Sequence, residues 1–338
     1  MDSLPGGVTR AAVWTGAGVA VRDVPVPRLA PGQSLVRVRL ATVCGSDLHT
    51  VAGRRAAPCP SVLGHEAVGE IVATTPRAGH GAPGHRIVWS VTAACGRCAR
   101  CRAGRTAKCL SVRKVGHEAF DGDWPLSGSY ARHLVLPAGV RTVAVPDTVP
   151  DAVAAPAACA TATVMAALEA AGDLAGRRVL VYGAGMLGLT AAAACAHRGA
   201  HVAVRDVVAA RAALAAGFGG GADDGLPVDA AFDFSGSSAA IADALTRLDI
   251  GGALVLAGSV APGPPVPLDA ERVVRRWLRI AGVHNYEPRH LTDAVDFLAA
   301  TVGTYPWHEL VAEPLPLDDI AAALTGPPAG RTRCAVAP

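Results

Sequence analysis

Val179-Leu-Val-Tyr-Gly183-Ala-Gly185-Met-Leu-Gly188 reads as an apolar strand that runs into a Gly-x-Gly-x-x-Gly turn and opens a helix. A second apolar run, His201 to Val204, follows an alanine-rich stretch ending near Arg198, and Asp206 stands just behind it. Three glycines alone would mark no more than a tight turn. Strand, glycine turn, helix, strand and acid in this order point to a dinucleotide-binding βαβ unit. Gly183 permits the turn, Gly185 lets the backbone approach a pyrophosphate, and Gly188 lets helix and strand pack closely. Met186 and Leu187 begin the helix whose N-terminus attracts the phosphate charge. Asp206 can accept from the adenosine ribose hydroxyls, which selects NAD. Arg205 and Arg211 flank it and could meet a 2′-phosphate, which keeps NADP as the second choice.

Downstream, Ala231 to Phe234, Ala253 to Ala257 and Arg279 to Val283 continue the alternation of strand and helix, as in a parallel sheet. Upstream, Ala152 to Ala171 reads as one alanine-rich helix. From about Ala11 to Val145 the texture differs: Ser34 to Thr42, Glu70 to Thr74, Arg86 to Val91 and Ala131 to Pro137 are short Val/Leu-rich runs between Pro/Gly turns, the pattern of an irregular β-rich domain. A helix from Leu291 to Ala300 and the segments after it match neither half. At 338 residues the chain exceeds one ordinary core and fits two domains sharing a cleft.

Charge and composition exclude several classes. With 31 basic and 28 acidic residues and no Lys/Arg run, a nucleic-acid partner is not expected. No uncharged apolar stretch of about eighteen residues and no basic-then-apolar leader is found, so the expectation is a cytoplasmic protein with no membrane partner. Nine cysteines are an odd number, and four of them crowd between residues 95 and 109, which argues for metal over disulfides.

Cys95, Cys98, Cys101 and Cys109 have the spacing C-x2-C-x2-C-x7-C, which suits a closed, tetrahedral structural zinc site. Arg97, Arg100, Arg102 and Arg105 between them leave little apolar reason to bury these thiols and offset thiolate charge. A second set is Cys44-Gly-Ser46-Asp47-Leu-His49 followed by Gly64-His65-Glu66, which offers a thiolate, an imidazole and a carboxylate. A catalytic zinc needs three protein ligands and one exchangeable position. Taken alone, a Cys and a His so far apart would more often be unrelated residues.

Together these four motifs, in this order, resemble the medium-chain, zinc-dependent alcohol dehydrogenase family over essentially the whole chain. The resemblance implies an α/β architecture: a GroES-like β-rich catalytic domain over residues 1–160 and 287–338, and a Rossmann doubly wound parallel-sheet domain over 161–286. It implies two zinc ions per chain and NAD, with Cys44 and His65 as ligands of the catalytic zinc and Cys159, in Ala158-Cys-Ala-Thr-Ala-Thr163, as the third. Glu66 would lie just behind this metal and approach it during ligand exchange, while Asp47 fixes the His65 ring. Ser46 and His49 match the family's proton relay, which runs from the substrate hydroxyl through a ribose hydroxyl toward the surface. The plainer reading is that Ser46 caps a helix and His49 is a solvated histidine. Thr163 would pack against the nicotinamide, and Gly258, Val283 and Asn285 match the segments that meet its carboxamide. Domain closure on the cofactor is expected, with hinges near Ala160 and Tyr286.

The stretch from Arg275 to His290 resembles the family's phosphonate-catabolism-associated branch, and Arg54, Arg55 and Lys114 fall near its pocket positions. The expected substrate is therefore a small polar alcohol or its aldehyde, with a hydroxyalkylphosphonate as candidate. A sorbitol-like polyol dehydrogenase and a noncatalytic NAD-binding homologue are the alternatives. A homodimer is expected, a tetramer being the other option in the family. Two departures stand out: Gly219 to Val228 is shortened where relatives carry a strand and helix, leaving the adenine side more open, and His85 replaces an Asp.

Overall fold

A computed structural model of the protein describes residues 7–338. The run Arg178–Tyr182 is the centre of a six-stranded parallel sheet, flanked by His201–Arg205 on one side and Val228–Asp233 on the other. Gly220–Gly221 closes one edge, and Leu248–Leu256 then Arg279–Gly282 extend the other. In sequence order the strands lie 3-2-1-4-5-6, the doubly wound arrangement in which ligands bind beyond the C-terminal strand ends, where the order reverses. Leu180, Phe232 and Leu254 are buried on both faces of this sheet, as parallel strands covered by helices require.

The other unit is a curled, mainly antiparallel sheet, in which only Val311–Pro316 and Arg333–Ala337 pair in parallel among the described residues. Its path runs Val311–Pro316, Arg333–Ala337, Ser34–Thr42, Glu66–Thr74, Arg86–Ala93 and Arg113–Lys114, with His133–Leu136 and Val140–Ala144 pairing from the side. A three-stranded sheet of Val19–Pro25, Val8–Trp14 and Ser61–Val62 completes it. The C-terminal segments that matched neither half thus supply two strands to this sheet, beside the helix Pro288–Thr301. The chain divides by contacts into one unit reaching to Cys159 and including Glu287–Val302 and Trp307–Pro338, and another of Ala160–Tyr286 with Gly303–Pro306.

The single helix expected over residues 152–171 is corrected. Asp151–Ala154 passes into a 3-10 turn, Ala155–Ala158, and a new helix, Ala160–Ala171, starts after a bend of 55°. Pro156 is the cause: it has no amide hydrogen to donate and its ring crowds the preceding turn. No single helix among the described residues is long and apolar enough to cross a membrane.

Candidate metal centres and nucleotide site

The register of one strand pair assembles the first centre. Ser34–Thr42 and Glu66–Thr74 run antiparallel with Thr42 opposite Glu66. The residues just past one strand and just before the other, Cys44 and His65, are therefore neighbours. Cys44 caps the helix Gly45–Val51 in an extended conformation, and its amide donates to Asp47 Oδ2 at 3.0 Å. Gly64 has φ +94°, and a Cβ there would strike the Tyr130 ring, so the turn that delivers His65 needs glycine. Cys159 occupies the break before the helix Ala160–Ala171, and the 3-10 turn ahead of it packs on both strands. The ligand atoms of Cys44, His65 and Cys159 all lie within 4.8 Å of one another.

Glu66 is not one of this trio. It receives Arg333 Nε at 2.8 Å, Arg333 Nη2 at 3.0 Å and Thr42 Oγ1 at 2.9 Å, and all three side chains are buried. Arg333 Nη2 also reaches 3.8 Å from the Cys44 sulfur. On the other side, His65 Nδ1 lies 3.4 Å from Asp47 Oδ1, and Tyr130 donates to Asp47 Oδ2 at 2.9 Å. His65 Nε2 is 3.3 Å from Ser46 Oγ. His49 shares the helix with Ser46, and its buried Nδ1 has no hydrogen-bond partner among the described residues. Arg333 and Tyr130 were not singled out in the sequence, where nothing separates them from any other arginine or tyrosine.

The charges interlock. Cys159 donates to Cys44 and Arg333 stands near it, so Cys44 is held well below its usual thiol range against the effect of burial, while sharing that proton pushes Cys159 up. Burial opposes a charged His65, yet Asp47 and the Cys44 thiolate overcome it and raise its pKa. Burial pushes Glu66 up to about 7 despite Arg333. A buried thiolate, a second thiol and an imidazole whose far nitrogen is turned toward a carboxylate are a soft, three-donor set that fits zinc.

The four-cysteine lobe is a separate centre, its sulfurs also within 4.8 Å of one another. The Cys98 and Cys109 sulfurs are 3.9 Å apart, close to the edge of about 3.8 Å expected for a tetrahedron with Zn–S bonds of about 2.3 Å. Backbone amides of Arg97 and Cys98 lower Cys95 to about 6, whereas burial pushes Cys101 up to about 12. Glu287, at the cap of the helix Pro288–Thr301, accepts from Thr106 N at 2.8 Å and Ala107 N at 3.1 Å, tying that helix to the lobe.

In the parallel-sheet unit, Gly185 caps the helix Met186–His197 with open space above it, and a Cβ on Gly188 would collide with the Gly183 carbonyl. Asp206 gathers the turn, accepting from Ala184 N at 2.7 Å and Val208 N at 2.8 Å. Arg205 is drawn off to Asp243 at 2.6 Å and lies over Tyr182, while Arg211 is exposed on the helix Ala209–Leu214. Gly258 packs against the Gly236 turn, which the buried Asp233 holds through Ser235 N and Gly236 N. Val283 and Asn285 follow the strand Arg279–Gly282, and Thr163 is buried in the helix Ala160–Ala171.

The shortened segment leaves only Gly220–Gly221 as a strand, followed by a loop that salt bridges from Asp223 to Arg247 and Asp224 to Arg178 tie down. A cavity of about 300 Å³ lined by Arg178, His201, Gly219 and Asp223 opens beside it. Arg178 and His201 begin their strands, whereas Asp206 follows a strand end. This opening is therefore at the foot of the sheet. His85 receives Ala82 N in a turn, and nothing in the structure explains its replacement of an acid.

Residues 30–147 match the alcohol dehydrogenase GroES-like domain. The L-threonine 3-dehydrogenase of Aeromonas salmonicida is 32% identical over 293 residues, covering 80% of this chain and 82% of that protein. An alcohol dehydrogenase from Thermotoga maritima has the same fold, with TM-score 0.90 at 24% identity over 98% of this chain and 100% of its own. A zinc-binding dehydrogenase from Sinorhizobium meliloti 1021, bound to NADP, superposes with TM-score 0.88 at 25% identity over 98% and 100% of the two chains.

Proposed function

Because the chain belongs to the medium-chain, zinc-dependent alcohol dehydrogenase family, we propose that it interconverts a small polar alcohol and its aldehyde or ketone, with NAD as the hydride acceptor. The observation that carries this reading is the convergence of Cys44, His65 and Cys159 beside Ser46, three donors with a hydroxyl at their side. Bound there, zinc supplies Lewis-acid polarisation of the substrate oxygen, and NAD supplies the electron sink. Ser46 takes the substrate's hydroxyl proton, and His49, three residues along the same helix face, carries it outward. Asp47 and Tyr130 orient His65, while Arg333 holds Glu66 in place beside the donors.

The choice of NAD rests on Asp206, a carboxylate that repels a 2′-phosphate, and on the commitment of Arg205 to Asp243. A homodimer belongs to the same proposal. Arg279–Gly282 is an edge strand, and Trp277, Val274 and Ile280 beside or on it are exposed, an apolar edge that a second copy would cover. Nine unpaired cysteines, most of them in the two clusters, suit the reducing cytoplasm in which we place the enzyme. A hydroxyalkylphosphonate, suggested by the sequence from Arg275 to His290, is the candidate substrate within this reading.

The test joins zinc analysis to NAD and NADP reduction across aliphatic alcohols, polyols, L-threonine and hydroxyalkylphosphonates. Two zincs per chain and turnover with NAD are expected. Loss of neither zinc nor activity in Cys44→Ser would remove the reading, as would a preference for unsubstituted aliphatic alcohols.

A further inference from the structure

Two cations stand beside the Cys44, His65 and Cys159 donors without an acid of their own. Lys114 ends the short strand Arg113–Lys114, and the turn that follows folds back onto the metal-binding segment. His117 N donates to Lys114 O at 3.2 Å, Gly116 sits so close to Gly64 that a Cβ would strike its carbonyl, and the His117 ring centroid is 5.2 Å from that of His65. Arg55 stands just past the helix Gly45–Val51, with its amide on His49 O at 3.2 Å. Both side chains are partly buried, whereas that of Arg54 is exposed.

The nearby acids are already engaged. Glu118 receives Arg113 Nε at 3.1 Å and Lys114 N at 2.8 Å, and Glu287 receives the Thr106 and Ala107 amides. Among the described residues neither Arg55 nor Lys114 forms an ion pair. Burial, then Arg55, then Lys108 hold the Lys114 pKa below its ordinary value, with Cys159 opposing them. Half-buried cations that repel one another are unfavourable at rest, and an incoming anion relieves them. His117 turns Nδ1 to the Val115 carbonyl at 2.7 Å and contributes no compensating charge.

We infer that the substrate alcohol carries an anionic group, a phosphonate or carboxylate, and that Lys114 and Arg55 hold it while the hydroxyl meets the metal centre. The inference rests on the dehydrogenase reading above and sharpens its substrate class. The cluster has no free carboxylate to receive an ammonium, so a hydroxy acid anion is preferred over an amino acid of the same length.

The experiment uses zinc-loaded wild type, Lys114→Met, Lys114→Arg and Arg55→Gln, with metal content confirmed in each. Calorimetry with ethylphosphonate and with propionate, neither of which can be oxidised, reads anion binding without catalysis. Kinetics read the ratio of kcat/KM for an anionic alcohol to that for an uncharged diol of the same length. In Lys114→Met both anion affinity and this ratio should fall about tenfold to a hundredfold, the usual range for a lost charge-assisted contact. Arg55→Gln should shift them in the same direction and Lys114→Arg should restore most of the loss. Either anion binding more tightly supports the inference, and which one does so tells phosphonate from carboxylate. An unchanged ratio with unchanged anion affinity overturns it. If no alcohol turns over, the dehydrogenase reading fails, and calorimetry still decides the anion site.

Discussion

The four-cysteine lobe and the Cys44, His65, Cys159 centre both gather soft donors, but they are built in opposite ways. The lobe takes its sulfurs from residues 95 to 109 and steadies them with backbone amides: Cys95 N on Cys109 Sγ at 3.3 Å, Cys101 N on Cys98 Sγ at 3.4 Å and Ser111 N on Cys109 Sγ at 3.4 Å. The other centre draws on residues from 44 to 159 and is steadied by buried side chains, with Asp47 and Tyr130 on one flank and Glu66 and Arg333 on the other. Four donors close a site, whereas three leave a position to exchange. The first arrangement is suited to holding a fold, the second to chemistry.

That contrast can be broken by exchanging one sulfur at a time. Cys159→Ser should lower kcat/KM by about a thousandfold or more, given that a Lewis-acid metal is worth several kcal/mol of transition-state stabilisation. Zinc should fall from two per chain to one, and the thermal midpoint should move little. Cys101→Ser should do the reverse. Zinc also falls to one, but the main loss is about 4 kcal/mol of stability, or roughly 10 °C in the unfolding midpoint, while protein that remains folded keeps most of its turnover. Should both substitutions act alike on activity and melting, the division of labour between the two sites is wrong.

A second test concerns the side chains that steady the exchangeable centre. Arg333→Met leaves the carboxylate of Glu66 buried with only Thr42 to compensate it, and stranding a buried charge costs about 3 kcal/mol or more. Adding Glu66→Gln removes that charge and should recover much of the loss, a coupling that chemical denaturation of the four proteins in a double-mutant cycle would measure. An additive result would mean that Arg333 acts on stability through something other than Glu66.

The same contrast explains what was legible in the sequence. The lobe and the glycine turn are local: a handful of residues at fixed spacing specify them, so Cys95 to Cys109 and Gly183 to Gly188 could be read directly. The parallel sheet was equally plain, because its central strands Arg178–Tyr182 and Val228–Asp233 carry apolar runs. Arg333 lies 267 residues from the Glu66 it pairs with, and only the pairing of Arg333–Ala337 with Ser34–Thr42 brings the two together. Pro156 was visible but masked by surrounding alanines, which is why one helix was expected where a break positions Cys159. Lys114 and Arg55 stand out in the sequence only through the family resemblance, and it is the packing of Gly116 on Gly64 that brings the Lys114 turn to the metal-binding segment.

The smallest expected effect asks how far steadying from a distance reaches. Tyr130 touches no metal-binding atom; its hydroxyl donates to Asp47 Oδ2 at 2.9 Å, and Asp47 in turn faces His65 Nδ1 at 3.4 Å and receives the Cys44 amide at 3.0 Å. Tyr130→Phe keeps the ring that packs against Gly64 and removes this bond together with the longer contact to the Thr42 carbonyl at 3.4 Å, so stability should fall by about 1 kcal/mol. If the bond also sets the orientation of His65, zinc at the exchangeable centre should be released about tenfold more readily to a competing chelator, while the four-cysteine lobe keeps its metal at the wild-type rate. A loss of stability with zinc retention unchanged at both sites would make Tyr130 a packing residue alone, and would confine control of His65 to Asp47.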